Sequence, residues 1–295
     1  MSTLKPYVFA GRTAVVTGAA SGIGEGLAHG LAARGSHLVL VDRDATRLSA
    51  VADAVRAAHP RRTVETLVAD LADRGAVVAA AERIAGEHPR LGLLVNNAGV
   101  ALGGRFDQVS VEQFEHVMAV NFTAPVLLTH HLLPALKAEP GAHLVNLSSL
   151  FGLVAPPGQS AYAASKFAIR AFSEALRAEL AENGIGVTTV HPGGIRTRIA
   201  ETAAIGAGVP RADREKYGKL FAALLTYPAE RAADDILRAV RRRQGRLLIA
   251  TSAKVPDLLA RLLPTAHVPI MARLSARRGG ERADRGRAGA RTAGR

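Results

Sequence analysis

From Thr13 onward, short apolar runs alternate with longer stretches whose apolar residues recur at helical spacing. The strand-like runs are TAVVT (13–17), HLVLV (37–41), TVETLVA (63–69), LGLLV (91–95), HLVNLS (143–148), IGVTTV (185–190) and GRLLIA (245–250). Each of the first six is followed, directly or after a loop, by a segment suited to helix. Runs that are apolar on both faces and spaced by helices predict parallel strands covered on two sides. The expected class is therefore α/β, one doubly wound parallel sheet of about seven strands with helices on both faces.

Two stretches break the alternation. Residues 193–228, with Gly193, Gly194, Gly206, Gly208 and Pro210, exceed an ordinary connection and are expected to form a substrate loop. Residues 252–275 hold an apolar helical piece interrupted by Pro264 and Pro269, read as a C-terminal packing arm. On this reading residues 1–275 form a single domain.

Composition narrows the class. Hydrophobic residues make up 48% of the 295-residue chain but aromatics only 4%, which suits an aliphatic core and excludes a wholly disordered chain. The absence of cysteine excludes disulfides and thiolate chemistry. The opening MSTLKPYVFAGR has too short an apolar run for a signal peptide, and no stretch reaches the roughly 18 uninterrupted apolar residues of a membrane span, so a cytoplasmic location is the expectation. The net charge of +13 is concentrated late: residues 276–295 carry seven arginines against Glu281 and Asp284. That tail reads as a solvated, disordered end, or as a contact for polyanions or anionic lipid, with no specific nucleic-acid recognition expected.

The first strand runs into TGAASGIG, Thr17 to Gly24, before a helix expected from about Glu25. Such a turn suits a phosphate at a helix N-terminus, or is merely a tight structural turn. The second strand ends at Asp42, 18 residues after Gly24, where a carboxylate can accept from the ribose hydroxyls of NAD or cap the helix that begins near Ala45. Arg43 beside it would attract the 2′-phosphate of NADP or lie in solvent. Ser21 adds no positive charge to the turn, so NAD is favoured over NADP. In AYAASKFAIR, Tyr162 and Lys166 share one helix face, but Tyr162 also lies one heptad before Ile169, on the stripe continued by Phe172, Leu176 and Leu180. The pair is thus either chemistry or a core edge with a snorkelling lysine.

Seven motifs in order decide between these readings: TGAASGIG, Asp70-Leu71, NNAG (96–99), Asn121 in VMAVNF, LVNLSS (144–149), Tyr162-Ala-Ala-Ser-Lys166 and HPGGIRT (191–197). Over residues 10–250 the series resembles the classical short-chain dehydrogenase/reductase (SDR) family. The resemblance implies a Rossmann-like fold and an alcohol–carbonyl oxidoreductase. Tyr162 would be its general acid/base, Lys166 would hold the nicotinamide ribose and lower the tyrosine pKa, Ser149 would orient the substrate oxygen, and Asn121 would kink its helix and hold a water. It also implies that Thr17, Gly18, Ser21, Gly22, Ile23 and Gly24 form the pyrophosphate turn and that Asp70 and Leu71 read the adenine. Asn97, Ala98 and Gly99 would line the cofactor, while Pro192, Gly193, Ile195 and Thr197 would seat the carboxamide. Asn96 is expected to be structural, Ser148 to face away from the site, and His191 to be strand-end packing.

Phe151, Val154 and Gln159, with Ile199, Ile205, Tyr217, Leu220 and Phe221 of the loop, suggest a pocket for an apolar alcohol or carbonyl compound. Arg196 and Arg198 would meet an acidic group or lie in solvent. No metal is expected, since His130 and His131 are the only clustered histidines and their side chains should diverge on a helix. The family implies a homodimer or homotetramer. Two other functions fit the same residues: a non-catalytic dinucleotide-sensing protein with a basic tail, and a membrane-surface enzyme touching anionic lipid through DLLARLLP and that tail.

Overall fold

The computed structural model describes residues 4–266 and residue 269. The basic tail and the end of the C-terminal arm lie outside the described residues. Seven parallel strands form one sheet: β1 (Thr13–Thr17), β2 (His37–Asp42), β3 (Val64–Val68), β4 (Leu93–Asn96), β5 (His143–Leu147), β6 (Gly186–Pro192) and β7 (Arg246–Ile249). Their order is β7-β6-β5-β4-β1-β2-β3. In-register pairs such as Val15 with Val39 and Val15 with Leu94 tie β1 to both its neighbours. This is the doubly wound, Rossmann-like α/β fold.

Alternation along each strand divides the core into two layers. On one face Val16, Leu38, Leu40 and Val95 pack against Leu27 and Leu31 of α1 (Gly22–Ala33), Leu48 and Val55 of α2 (Ala45–Ala58) and the later helix carrying Ile236 and Val240. On the other face Val15, Val39, Leu94 and Leu144 meet Val77 and Ile84 of α3 (Arg74–Glu87) and Leu128, Leu132 and Leu136 further on. The outermost strand β3 departs from the expected run of apolar faces. It alternates, with Val64 buried and Thr66 and Val68 exposed, because an edge strand has helices to cover only one side.

Helix α4 (Val111–Met118) starts on a capping box in which Ser110 and Gln113 satisfy each other's backbone amides. It runs through a π-helical turn, Ala119–Thr123, into α5 (Ala124–Ala138). The turn has a sequence cause. Pro125 has no amide to offer the Asn121 carbonyl four residues earlier, and the Ala124 amide reaches back five residues to Ala119. The continuous helix Val111–Ala138 is long and apolar enough to cross a membrane by length and composition, which a count of uninterrupted apolar residues overlooks. Half of its most apolar window is buried, and its inner face packs on the sheet as a core helix does.

Among the described residues the longer helices that follow are α6 (Ser160–Glu179), α7 (Arg211–Ala222), α8 (Ala229–Arg241) and α9 (Thr251–Leu262), with a single turn at Ile199–Thr202. The chain winds one way from β1 to β3 and the other from β4 to β7. The loops at the carboxyl ends of β1 and β4 therefore diverge and leave a crevice.

Candidate active site

A cleft of about 890 Å3 occupies that crevice. One end is shaped by the glycine turn. Helix α1 begins at Gly22, three residues before the expected start, and Gly18 and Gly22 hold φ of +65° and +59°. A Cβ on Gly24 would stand 2.0 Å from the Gly18 carbonyl oxygen, so helix and strand can close only on glycine. Ser21 precedes α1 without a side-chain cap bond, which leaves its first amides to the cleft. Gly18, Ser21 and Ile23 line the space, whereas Thr17, Gly22 and Gly24 stand behind them. Thr17 is a tie: its hydroxyl donates to the Val95 carbonyl (3.3 Å) and accepts from the amides of Asn97 (3.0 Å) and Ala98 (3.1 Å). Asn97 returns the link by donating to the carbonyls of Thr17 and Gly18 at 2.8 and 3.1 Å.

Asp42 closes this end. Its two carboxylate oxygens accept from the amides of Ala20 (3.0 Å) and Asp44 (3.1 Å), which hold the group rigidly with lone pairs to spare. The cap of α2 is Asp44, bonded to the Arg47 amide, and not Asp42. Arg43 lines the cleft with Asp70, Leu71, Ala98 and Gly99, and Arg47 does so while paired with Asp44 at 3.2 Å.

At the other end stand Ser149, Tyr162 and Lys166, with Asn121 behind. Tyr162 and Lys166 are four residues apart on α6 and both buried. Ser149 caps a short 3-10 turn through the Phe151 amide (3.1 Å) and stands close enough to the Tyr162 phenol to pull its pKa down. The Phe151 ring meets the tyrosine edge-on at 6.1 Å. Lys166 Nζ donates to the Leu147 carbonyl (3.0 Å) and lies 5.7 Å from the centre of the tyrosine ring. The side chain of Asn121, inside the π turn, accepts from the Val100 amide (2.9 Å) and donates to the Val100 carbonyl and to Ser165 Oγ, each at 3.0 Å.

The electrostatics here differ from the expectation of an acidic phenol. Burial raises the Tyr162 pKa, and only the Ser149 bond pulls it down. Burial also brings Lys166 down to about 8. A cation beside a phenol helps less when its own charge is disfavoured by the same dry surroundings.

Several side chains lie elsewhere than predicted. Val154 is buried in the core and Gln159 stands just before α6 near Gly103, so neither lines the cleft, which closes over Leu150, Phe151 and Pro156 instead. Ile205 pairs in a two-residue parallel bridge with Gly103 and is also outside it. Ile199 lines it; the side chains of Tyr217, Leu220 and Phe221 lie outside the described residues. Arg196 is exposed away from the cleft, and Arg198 at its edge is paired with Glu201 at 3.0 Å. Pro192, Gly193, Ile195 and Thr197 form one wall, and α9 adds Val255, Pro256 and Leu259 that the sequence did not single out.

Ser148 borders the cleft, but its hydroxyl is turned to the α6 backbone, donating to the Lys166 carbonyl at 2.8 Å. Two supporting groups were missed. Ser165 joins Asn121 to the Tyr162 carbonyl (2.7 Å), and Asn146 joins Asn96 (2.8 Å) to Ser173 (2.9 Å) in a buried chain under the site. Their signal was a polar residue on an otherwise apolar face. His191 is fully buried with Nδ1 3.1 Å from the Ser149 carbonyl, and burial brings it to about 4. His130 and His131 do not diverge but meet edge-on at 5.4 Å. Glu65, Glu87 and His88 gather at β3, where the histidine contacts Glu65 (3.1 Å) and Glu87 pairs with Arg83 (3.0 Å).

This geometry can be set beside known proteins. Residues 12–206 match the family described as short chain dehydrogenase. The chain belongs to the short-chain dehydrogenase/reductase family. It is an SDR oxidoreductase. It is 38% identical over 267 residues to "Putative oxidoreductase SadH" of Mycobacterium tuberculosis, covering 90% of this chain and 95% of that one. An SDR from Burkholderia phymatum in complex with NAD superposes with a TM-score of 0.75 at 28% identity, over 87% of this chain and 96% of that one. A short-chain dehydrogenase from Sphingobium yanoikuyae in complex with NADPH does so at 0.69 and 32% identity, over 92% and 94%. The SDR cleft here fits a dinucleotide. Gly99 leaves room where a Cβ would come within 3.3 Å of Lys166 Nζ, and Gly22, where a Cβ would stand 2.9 Å from Thr197 Cγ2, lets the wall loop close on the glycine turn.

Proposed function

We propose that this SDR interconverts an alcohol and a ketone or aldehyde with NAD, on a substrate of apolar character. The observation that carries the reading is a buried tyrosine beside a serine in the lining of a dinucleotide-sized cleft, with a buried lysine one turn further along the same helix. When bound, NAD would supply the hydride acceptor. Ser149 would donate to the substrate oxygen and fix it beside Tyr162, whose phenolate takes the carbinol proton in oxidation and whose phenol returns it in reduction. Lys166 would hold the ribose hydroxyls through its ammonium and, once that ammonium is engaged, favour the phenolate. Asn121 keeps the loop after β4 in place through Val100, and Ser165 locks Asn121 to α6.

NAD is preferred because Asp42 is held with free lone pairs where ribose hydroxyls would lie, and a fixed carboxylate repels a 2′-phosphate. The substrate half of the cleft, with Leu150, Phe151, Ile199, Leu225 and Leu259, favours an apolar body. Tyr162→Phe tests the mechanism: turnover on an alcohol and ketone panel should fall by roughly 10²–10⁴-fold while NAD binding by calorimetry stays within a few-fold. Intact turnover would overturn the role of Tyr162, and tighter binding of NADP than NAD by the unaltered protein would overturn the cofactor preference.

A further inference from the structure

Helix α9 presents Pro256 and Leu259 to the cleft, buries Ala253 and a carboxylate, Asp257, against the sheet, and still leaves apolar residues in solvent. Asp257 is gripped by both terminal nitrogens of Arg246 on β7, Nη1 at 3.2 Å, so a polar pair pins the helix to the sheet. The outward side carries Val255, Leu258 and Leu262, at spacings of three and four, which are 52%, 57% and 69% exposed; Leu263 follows at 40%. That spacing makes one continuous apolar stripe. Lys254 and Arg261 are exposed on the same helix, Arg261 reaching back to Asp257 at 3.6 Å. Val255 and the half-exposed Leu224 also belong to the lining of the cleft, so the stripe meets the cleft at Val255.

We infer that α9 is a docking surface for an anionic lipid bilayer and that the cleft receives its substrate from that bilayer. The inference deepens the apolar-substrate reading given above and rests on it for the second clause only. Charge selects the occupant. The stripe is edged by cations, and within the thirty-two residues that follow Leu263 the last twenty carry a net +5. A bilayer rich in phosphatidylglycerol offers acyl chains to the stripe and phosphates to the cations at once. A second copy docked on this stripe would set Lys254 and Arg261 against the same cations of its partner.

The test is co-sedimentation of the full chain with vesicles of phosphatidylcholine alone and of phosphatidylcholine with phosphatidylglycerol in equal parts, at low and at high salt. The unaltered protein should pellet with the mixed vesicles at low salt. Leu258→Ser with Leu262→Ser, which touches exposed residues outside the cleft lining, should weaken that binding by about tenfold. The double variant should keep its turnover of a small water-soluble alcohol but lose turnover of a long-chain alcohol presented in the mixed vesicles. Protein remaining in the supernatant, or equal pelleting of the double variant, overturns the docking surface. Self-association in solution that the double variant abolishes, without vesicle binding, assigns the stripe to a second copy and equally overturns it. Vesicle binding with no turnover of any alcohol would leave the docking surface standing and sink the catalytic reading instead.

Discussion

Lys166 sits where its charge is least welcome, and replacing it should separate stability from activity. In the fold its pKa is brought from 10.5 down to about 8 by burial. The ammonium is therefore the disfavoured form, and the unfolded chain takes up the proton at a higher pH than the folded one. Above about pH 10.5 both states are neutral and nothing is lost. As the pH falls from there to about 8 stability drops, and below 8 the full cost of about 3 kcal/mol is present. Lys166→Met keeps the length and removes the charge. It also leaves the Leu147 carbonyl without its 3.0 Å donor, a loss of about 1 kcal/mol. The variant should thus be more stable than the parent at pH 7 by about 2 kcal/mol, raising Tm by roughly 4–8 °C. Its advantage should shrink, and by pH 10.5 vanish or reverse. Urea unfolding at a series of pH values measures this, alongside turnover, which should fall by about 10²-fold or more. A variant less stable than the parent at pH 7, or a difference that does not change between pH 7 and pH 10.5, would refute the reasoning.

Three further outcomes follow from local surroundings. Gly24→Ala would place a Cβ 2.0 Å from the Gly18 carbonyl oxygen, against rigid backbone, and should cost about 3 kcal/mol or more and abolish NAD binding. Gly86→Ala, exposed on α3 with open space around it, should instead stabilise by about 0.5–1 kcal/mol, and thermal melts with NAD titration distinguish the two. His143 is buried with Nδ1 accepting from Arg243 (3.0 Å) and Nε2 against Thr188 (2.8 Å), and burial with the neighbouring arginines holds its pKa well below 6.5. Stability present above pH 6.5 should therefore be lost as the pH falls. His143→Asn, less stable at pH 7.5, should lose less than the parent between pH 6.5 and 4.5, and parallel stability curves would rule out this origin of acid sensitivity.

The path from β1 to β7 was legible because each strand is a short run bounded by its own turn residues, so its existence rests on neighbours in the chain. Tyr162 and Lys166 were legible as a pair because four residues of helix bring them onto one face. Val154 and Gln159 were misread because nothing local distinguishes a loop residue that faces a cleft from one that faces the core. Ser165 and Asn146 were missed for a related reason: their meaning lies in partners more than twenty residues away, Asn121 and Asn96.

By itself, the sequence determined the succession of elements, the glycine turn, the carboxylate ending the second strand and the spacing of serine, tyrosine and lysine. Only the tertiary structure decided that Lys166 loses water and with it part of its preference for the charged form, that Asn121 meets Ser165 of another helix, and that α9 buries a carboxylate while exposing leucines. The division has a physical cause. Periodicity and turn chemistry act over a few residues and are written along the chain, whereas burial, desolvation and which face a helix presents are set by what the rest of the fold lays against it.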